Sequence, residues 1–181
     1  MSSDETIVLD VLYGDRESFG ALVERYQHLA VRMAFHLVGN RDAAEDVEQD
    51  AFITAYRSLR NLREQAKFKS WFFSIVHHKC LKHLERRRTE SSLDEVADDE
   101  CAVMDPPAVD GDGQLCALMN RLPLEYREVL AAKFVSELSY DEIAQQLGTT
   151  PGNVRVRCLR AKQKLRDLFE REQARCESGE C

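Results

Sequence analysis

The sequence predicts an all-α protein of two helical domains joined by a flexible acidic linker, and three observations predict it. Apolar residues recur at the helical spacing i, i+3 or i+4, i+7, and no stretch shows the period-two alternation of a strand. Residues 89–113 hold nine acids (Glu90, Asp94, Glu95, Asp98, Asp99, Glu100, Asp105, Asp110 and Asp112) with no Lys or Arg, a Pro-Pro pair and two glycines. Such a segment buries little and repels itself, so it reads as a linker. Residues 139–151 then carry in succession a helix start, a turn and a second helix start, the order of a helix-turn-helix.

Composition bounds the rest. The 181 residues suit one or two domains, and 44% hydrophobic content is enough for a core. No run approaches the ~20 apolar residues of a membrane span, and MSSDETIVLD lacks the basic-then-apolar order of a signal peptide. The chain is therefore read as cytoplasmic, without membrane insertion. Six cysteines with no CxxC pair are read as reduced thiols. The net charge of −7 looks wrong for a nucleic-acid binder until the linker is set aside. Without its nine acids, 25 basic side chains face 23 acidic ones.

The first domain, residues 1–88, is expected to hold four helices. Residues 5–13 form a short one, stopped by Gly14 and Asp15. Asp15 or Ser18 caps the second, which carries Phe19, Leu22, Val23, Tyr26, Leu29, Ala30, Met33 and Leu37 on its apolar face and ends at Gly39 and Asn40. Asp42 opens the third, running to about Arg60, and Asn61 to Lys67 is a polar loop. The fourth runs from about Phe68 to Arg88.

Two of these helices carry more than a core stripe. On the third, Ala44, Val47, Ala51, Phe52, Ala55 and Leu59 share one arc, and Asp46, Gln49, Asp50, Ile53 and Arg57 the opposite one. Ile53 among carboxylates is either part of a docking surface for a basic partner or one of the isolated apolar residues common on protein surfaces. On the fourth, Phe72, Phe73, Val76, Cys80 and Leu84 suit the core, and Trp71, Ile75, His78 and Lys82 make a second stripe, with Lys79 and Arg86 to Arg88 adding charge. Aromatics interleaved with cations suit an unstacked nucleic-acid strand; Trp71 is equally well placed for the core. His77, Cys80 and His83 share a side of that helix, but a closed zinc site needs four ligands converging from more than one element, so no metal and no cofactor is expected.

The second domain, residues 114–170, is organised around the helix-turn-helix. Ser139 and Glu142 form a capping box, Gly148 permits the left-handed turn, and Thr150 with Pro151 is an N-cap followed by proline at the first helical position. Val154, Cys158, Ala161, Leu165 and Leu168 stripe one face of the second helix. From Pro151 to Arg166 there are six basic residues and no acid, as a helix lying along phosphates in a major groove requires. Residues 171–181 are read as a disordered tail, and its Cys176 and Cys181 as incidental thiols rather than a sensor.

Three stretches, in order, resemble the extracytoplasmic-function class (group IV) of bacterial RNA polymerase sigma factors. DAAEDVEQDAFITAYRSL is similar to that family's region 2.2, FKSWFFSIVHHKCLKHLERRR to regions 2.3 and 2.4, and LPLEYREVLAAKFVSELSYDEIAQQLGTTPGNVRVRCLRAKQKL to region 4. The resemblance implies no enzymatic chemistry. It implies binding to the beta-prime and beta subunits of core polymerase, with Asp46, Gln49, Asp50 and Ile53 as the docking face on the beta-prime clamp helices. Trp71, His78, Lys79, Lys82 and Arg86 would contact the minus-ten element, with the loop Asn61–Lys67 taking a flipped base. His78 stands where many relatives carry Asn, and Ser74 with Ile75 where housekeeping sigma factors carry paired tryptophans, which implies weaker melting. Asn153, Arg155, Val156, Arg157, Leu159 and Arg160 would bind the minus-thirty-five element. The resemblance also implies promoter DNA as a partner, an anti-sigma factor, and a linker threading toward the RNA exit path. A stand-alone helix-turn-helix regulator is the alternative, and it leaves the first domain without a role.

Overall fold

A computed structural model of the chain describes residues 2–91 and 112–177, and every described element is helical. Residues 92–111 of the linker and Cys181 fall outside the described residues, as does the side chain of Cys176. The chain divides into two compact units, Met1–Glu100 and Cys101–Cys181, a division that falls within the acidic segment.

The first unit has four helices: α1 (Asp4–Leu12), α2 (Phe19–Val38), α3 (Arg41–Ser58) and α4 (Phe68–Ser91). Ser3 caps α1 by accepting the Thr6 amide at 3.2 Å. Ile7, Val8 and Val11 are buried, and Asp4 takes hydrogen bonds from Arg25 and from the Tyr26 hydroxyl, which fasten α1 to α2. Gly39, at φ 76°, ends α2. Asn40 is not part of the stop but belongs to the next helix: its side chain accepts the Ala43 amide at 2.9 Å as the N-cap of α3, which opens at Arg41 rather than at Asp42. The α3–α4 connection contains two single 3-10 turns, Leu59–Asn61 and Gln65–Lys67, with Leu62 buried between them.

The core of this unit is aromatic. Phe72 stacks on Phe52 at 4.4 Å between ring centroids and on Phe68 at 5.9 Å, and Tyr26 packs against Phe68, Phe72 and Phe73. These rings join α2, α3 and α4 over one surface. They thereby fix which side of α3 and of α4 is turned outward.

The second unit has α5 (Asp112–Asn120), α6 (Leu124–Leu130), α7 (Tyr140–Leu147) and α8 (Pro151–Glu177). A π-helical turn, Ala131–Val135, extends α6. Glu137 then takes a left-handed conformation at φ 54° and brings the chain round to α7. The capping box on α7 is complete: Ser139 accepts the Glu142 amide at 3.2 Å, and Glu142 accepts the Ser139 amide at 2.8 Å. Gly148 closes α7 at φ 61°, and the Thr150 hydroxyl accepts the Asn153 amide at 3.3 Å.

The structure corrects one expectation for the second helix of the helix-turn-helix: residues 171–177 are not a disordered tail, and α8 continues unbroken to Glu177. No Gly or Pro interrupts 153–178, so nothing local stops the helix, and Arg121, just after α5, pairs with Glu172 and holds the late turns.

Candidate functional site

Three exposed faces emerge, two on the first unit and one on the second. On α3, burial of Ala44, Val47, Ala51, Phe52 and Ala55 turns Asp46, Gln49, Asp50 and Ile53 to solvent. Ile53 is 48% exposed, and Tyr56, one turn on and edge-to-face on Phe19 at 5.1 Å, is 40% exposed. The sequence reading missed Tyr56. The signal was its i+3 spacing from Ile53, which extends the apolar strip within the acidic face. Glu48 lies beside this face, half-buried, and burial followed by the neighbouring Glu45 charge pushes its carboxyl above the ordinary carboxylate range.

On α4, Phe72, Phe73, Val76, His77 and Cys80 are buried. Trp71 is half-buried, its ring 5.9 Å from Phe68, so one part packs on the core and another part is reachable. His78, Lys82 and Arg86 are exposed, while Lys79 is partly covered and its Nζ lies 3.4 Å from the Asp50 carboxylate. His83, Arg86 and Arg87 line a groove with Asn40, Ala43 and Asp46. The acidic face of α3 and the basic end of α4 are thus neighbours, an adjacency that two separate helical patterns do not reveal. His77 and Cys80 point into the core while His83 lines the groove, and burial pushes the Cys80 thiol up to about 12. Among the described residues, no three His, Cys, Asp or Glu side chains are grouped to hold a metal ion.

On α8, Val154, Cys158 and Ala161 are buried. Asn153, Arg155, Val156, Leu159 and Arg160 are exposed in consequence, with Leu159 at 70%. Arg157 is half-covered and its Nε lies 3.9 Å from Glu125. Two aromatics that the sequence reading passed over touch this helix. The Arg155 guanidinium lies over the Tyr140 ring at 5.3 Å, and Lys162 Nζ over the Phe134 ring at 4.4 Å. Phe134 itself is 53% exposed on the π-helical turn.

Each face has the chemistry of a macromolecular surface. Acidic and apolar side chains on α3 complement a basic protein surface. A half-buried indole with cations on α4 can stack a base and neutralise phosphate. Guanidinium groups beside Val156 and Leu159 on α8 suit base edges and thymine methyls in a major groove.

Comparison with known proteins agrees with this division. Residues 22–90 match the family described as Sigma-70 region 2, and residues 113–165 the family described as Sigma-70, region 4. The chain is similar to the ECF RNA polymerase sigma factor SigW of Bacillus subtilis, 30% identical over 174 residues that cover 88% of this chain and 92% of that protein. It is also similar to the ECF RNA polymerase sigma factor SigM of Mycobacterium tuberculosis, 32% identical over 168 residues, 92% and 85% of the two chains. Among solved structures, CnrH in complex with the cytosolic domain of CnrY superposes with a TM-score of 0.72 at 25% identity, covering 93% of this chain and 98% of that one. Both family regions occur in order, and the relatives match over nearly their full length. The chain therefore belongs to the extracytoplasmic-function class of the sigma-70 family, the RNA polymerase sigma factors that direct promoter-specific initiation of transcription.

Proposed function

We propose that the three exposed faces divide this work among them. The α3 face of Asp46, Gln49, Asp50 and Ile53, extended by Tyr56, docks on core polymerase. Trp71, His78, Lys79, Lys82 and Arg86 hold the opened minus-ten strand, with the loop Asn61–Lys67 taking a flipped base. Asn153, Arg155, Val156, Leu159 and Arg160 read the minus-thirty-five element, and Arg157 contacts phosphate. The working boundaries are 1–88 for the polymerase and minus-ten module, 89–113 for the linker and 114–170 for the minus-thirty-five module. The protein performs no catalysis of its own and works in the cytoplasm. CnrH is held by the cytosolic domain of another protein, and by likeness this chain takes an anti-sigma factor.

The observation that carries the reading is the 48% exposure of Ile53, one turn beyond Asp50 on the acidic face of α3. Exposing a large apolar side chain there does nothing for the fold, whereas a partner surface would cover it. Ile53→Glu is expected to cost ~2 kcal/mol or more in affinity for core polymerase, leaving the thermal melt of the free chain unchanged. Gln49→Ala with Asp50→Ala is expected to act in the same direction. Capture of core polymerase by both variants at parental yield would remove the docking role from this face.

A further inference from the structure

Resting on the assignment of the α8 face to the minus-thirty-five element, we propose that Tyr140 is a positioning residue for promoter reading: its ring presets the Arg155 guanidinium for one base.

Tyr140 is the first residue of α7, directly after the capping box, so its backbone is held by the Ser139 and Glu142 hydrogen bonds. Its half-buried ring carries two cations, Lys133 Nζ at 4.8 Å and the Arg155 guanidinium at 5.3 Å from the centroid. Lys133 is itself tethered, donating to the Leu138 carbonyl at 3.0 Å. Cys158, three residues beyond Arg155, is buried and holds that turn of α8 against the rest of the unit. The ring is therefore held from the cap and, through Lys133, from the π-helical turn. Arg155 is exposed and would otherwise sample many rotamers.

The mode of contact matters. A guanidinium stacked on an aromatic ring uses its face and leaves its N–H donors in plane for a bidentate contact with a base edge. The neighbouring Arg157 is engaged differently: its Nε, an in-plane donor, faces Glu125 at 3.9 Å. The two arginines, two residues apart, thus have different neighbours, an aromatic ring for Arg155 and a carboxylate for Arg157.

The test uses the full chain with core polymerase on promoters carrying each of the four bases at each minus-thirty-five position. Arg155→Ala identifies the position that Arg155 reads. Tyr140→Phe, which keeps the ring and loses the hydroxyl, is expected to show parental base preference there. Tyr140→Leu is expected to lower discrimination at that position by about two- to fivefold, the range of an exposed cation–π contact, and leave other positions alone. If Tyr140→Leu melts early, Tyr140→Met takes its place. The double variant Tyr140→Leu with Arg155→Ala is expected to equal Arg155→Ala alone at that position. Parental discrimination in the Leu and Met variants, or a further loss in the double variant, overturns the positioning role and leaves the recognition face standing. Arg155→Ala with parental preference at every position overturns both.

Discussion

Arg160, exposed on α8 two residues beyond the buried Cys158, and His78, exposed on α4 next to the buried His77, are the residues on which specificity is most directly testable. Arg160→Ala is expected to relax discrimination at one minus-thirty-five base pair by about 1–3 kcal/mol, with affinity for core polymerase unchanged. Transcription from every promoter variant at parental ratios would displace the recognition face from this side of the helix. His78→Asn is expected to change the preferred base at one minus-ten position while total activity on that new base stays near parental. Comparison of all four bases at each minus-ten position checks it, and an unaltered preference would take His78 out of the readout. The sequence held these outward positions because helical spacing alone separates Val154, Cys158 and Ala161 from Arg155, Val156, Leu159 and Arg160. It could not hold the Tyr140 ring under Arg155 or the 3.4 Å approach of Lys79 to Asp50. Those depend on how two helices lie against each other, and no local pattern encodes that.

At the scale of the element, start signals were more legible than stops. Ser139 with Glu142, and Thr150 before Pro151, are local chemistry that satisfies orphan amides, and both caps form as spelled. The end of α8 is not legible in the apolar stripe, which fades after Leu168, because a helix ends at a breaker or an alternative partner for its carbonyls. With neither present, and with Arg121 pairing Glu172, it continues to Glu177. The π-helical turn at Ala131–Val135 had no sequence signature, although it is what presents Lys133 to Tyr140 and Phe134 to Lys162. Ser139→Ala removes an amide acceptor at the start of α7 and is expected to cost about 1 kcal/mol. Gly148→Ala meets no atom within 4 Å but must hold φ +61°, at a cost of ~1–2 kcal/mol. Denaturant unfolding of the two variants measures both losses. A Gly148→Ala variant as stable as the parent would contradict the strain argument, since sterics cannot offset it.

For the whole molecule, the decisive property is the separation of charge along the chain. A net charge of −7 is compatible with the proposed nucleic-acid-binding faces because nine of the 32 acids sit in residues 89–113, between the two modules. The two-module organisation was legible for that reason, and the family regions fall on either side of the same segment, at 22–90 and 113–165. On the proposed assignment, one chain couples core polymerase to two promoter elements through three separate faces. Transcription in vitro by core polymerase on a promoter library randomised at both elements tests it most directly. Transcripts are expected only when this chain is added, from promoters sharing two motifs at fixed spacing. Ile53→Glu should lower transcription from all of them alike, and Arg160→Ala should change selection in the upstream motif alone. Selection of the same promoters after Arg160→Ala, or initiation at parental levels after Ile53→Glu, would contradict it.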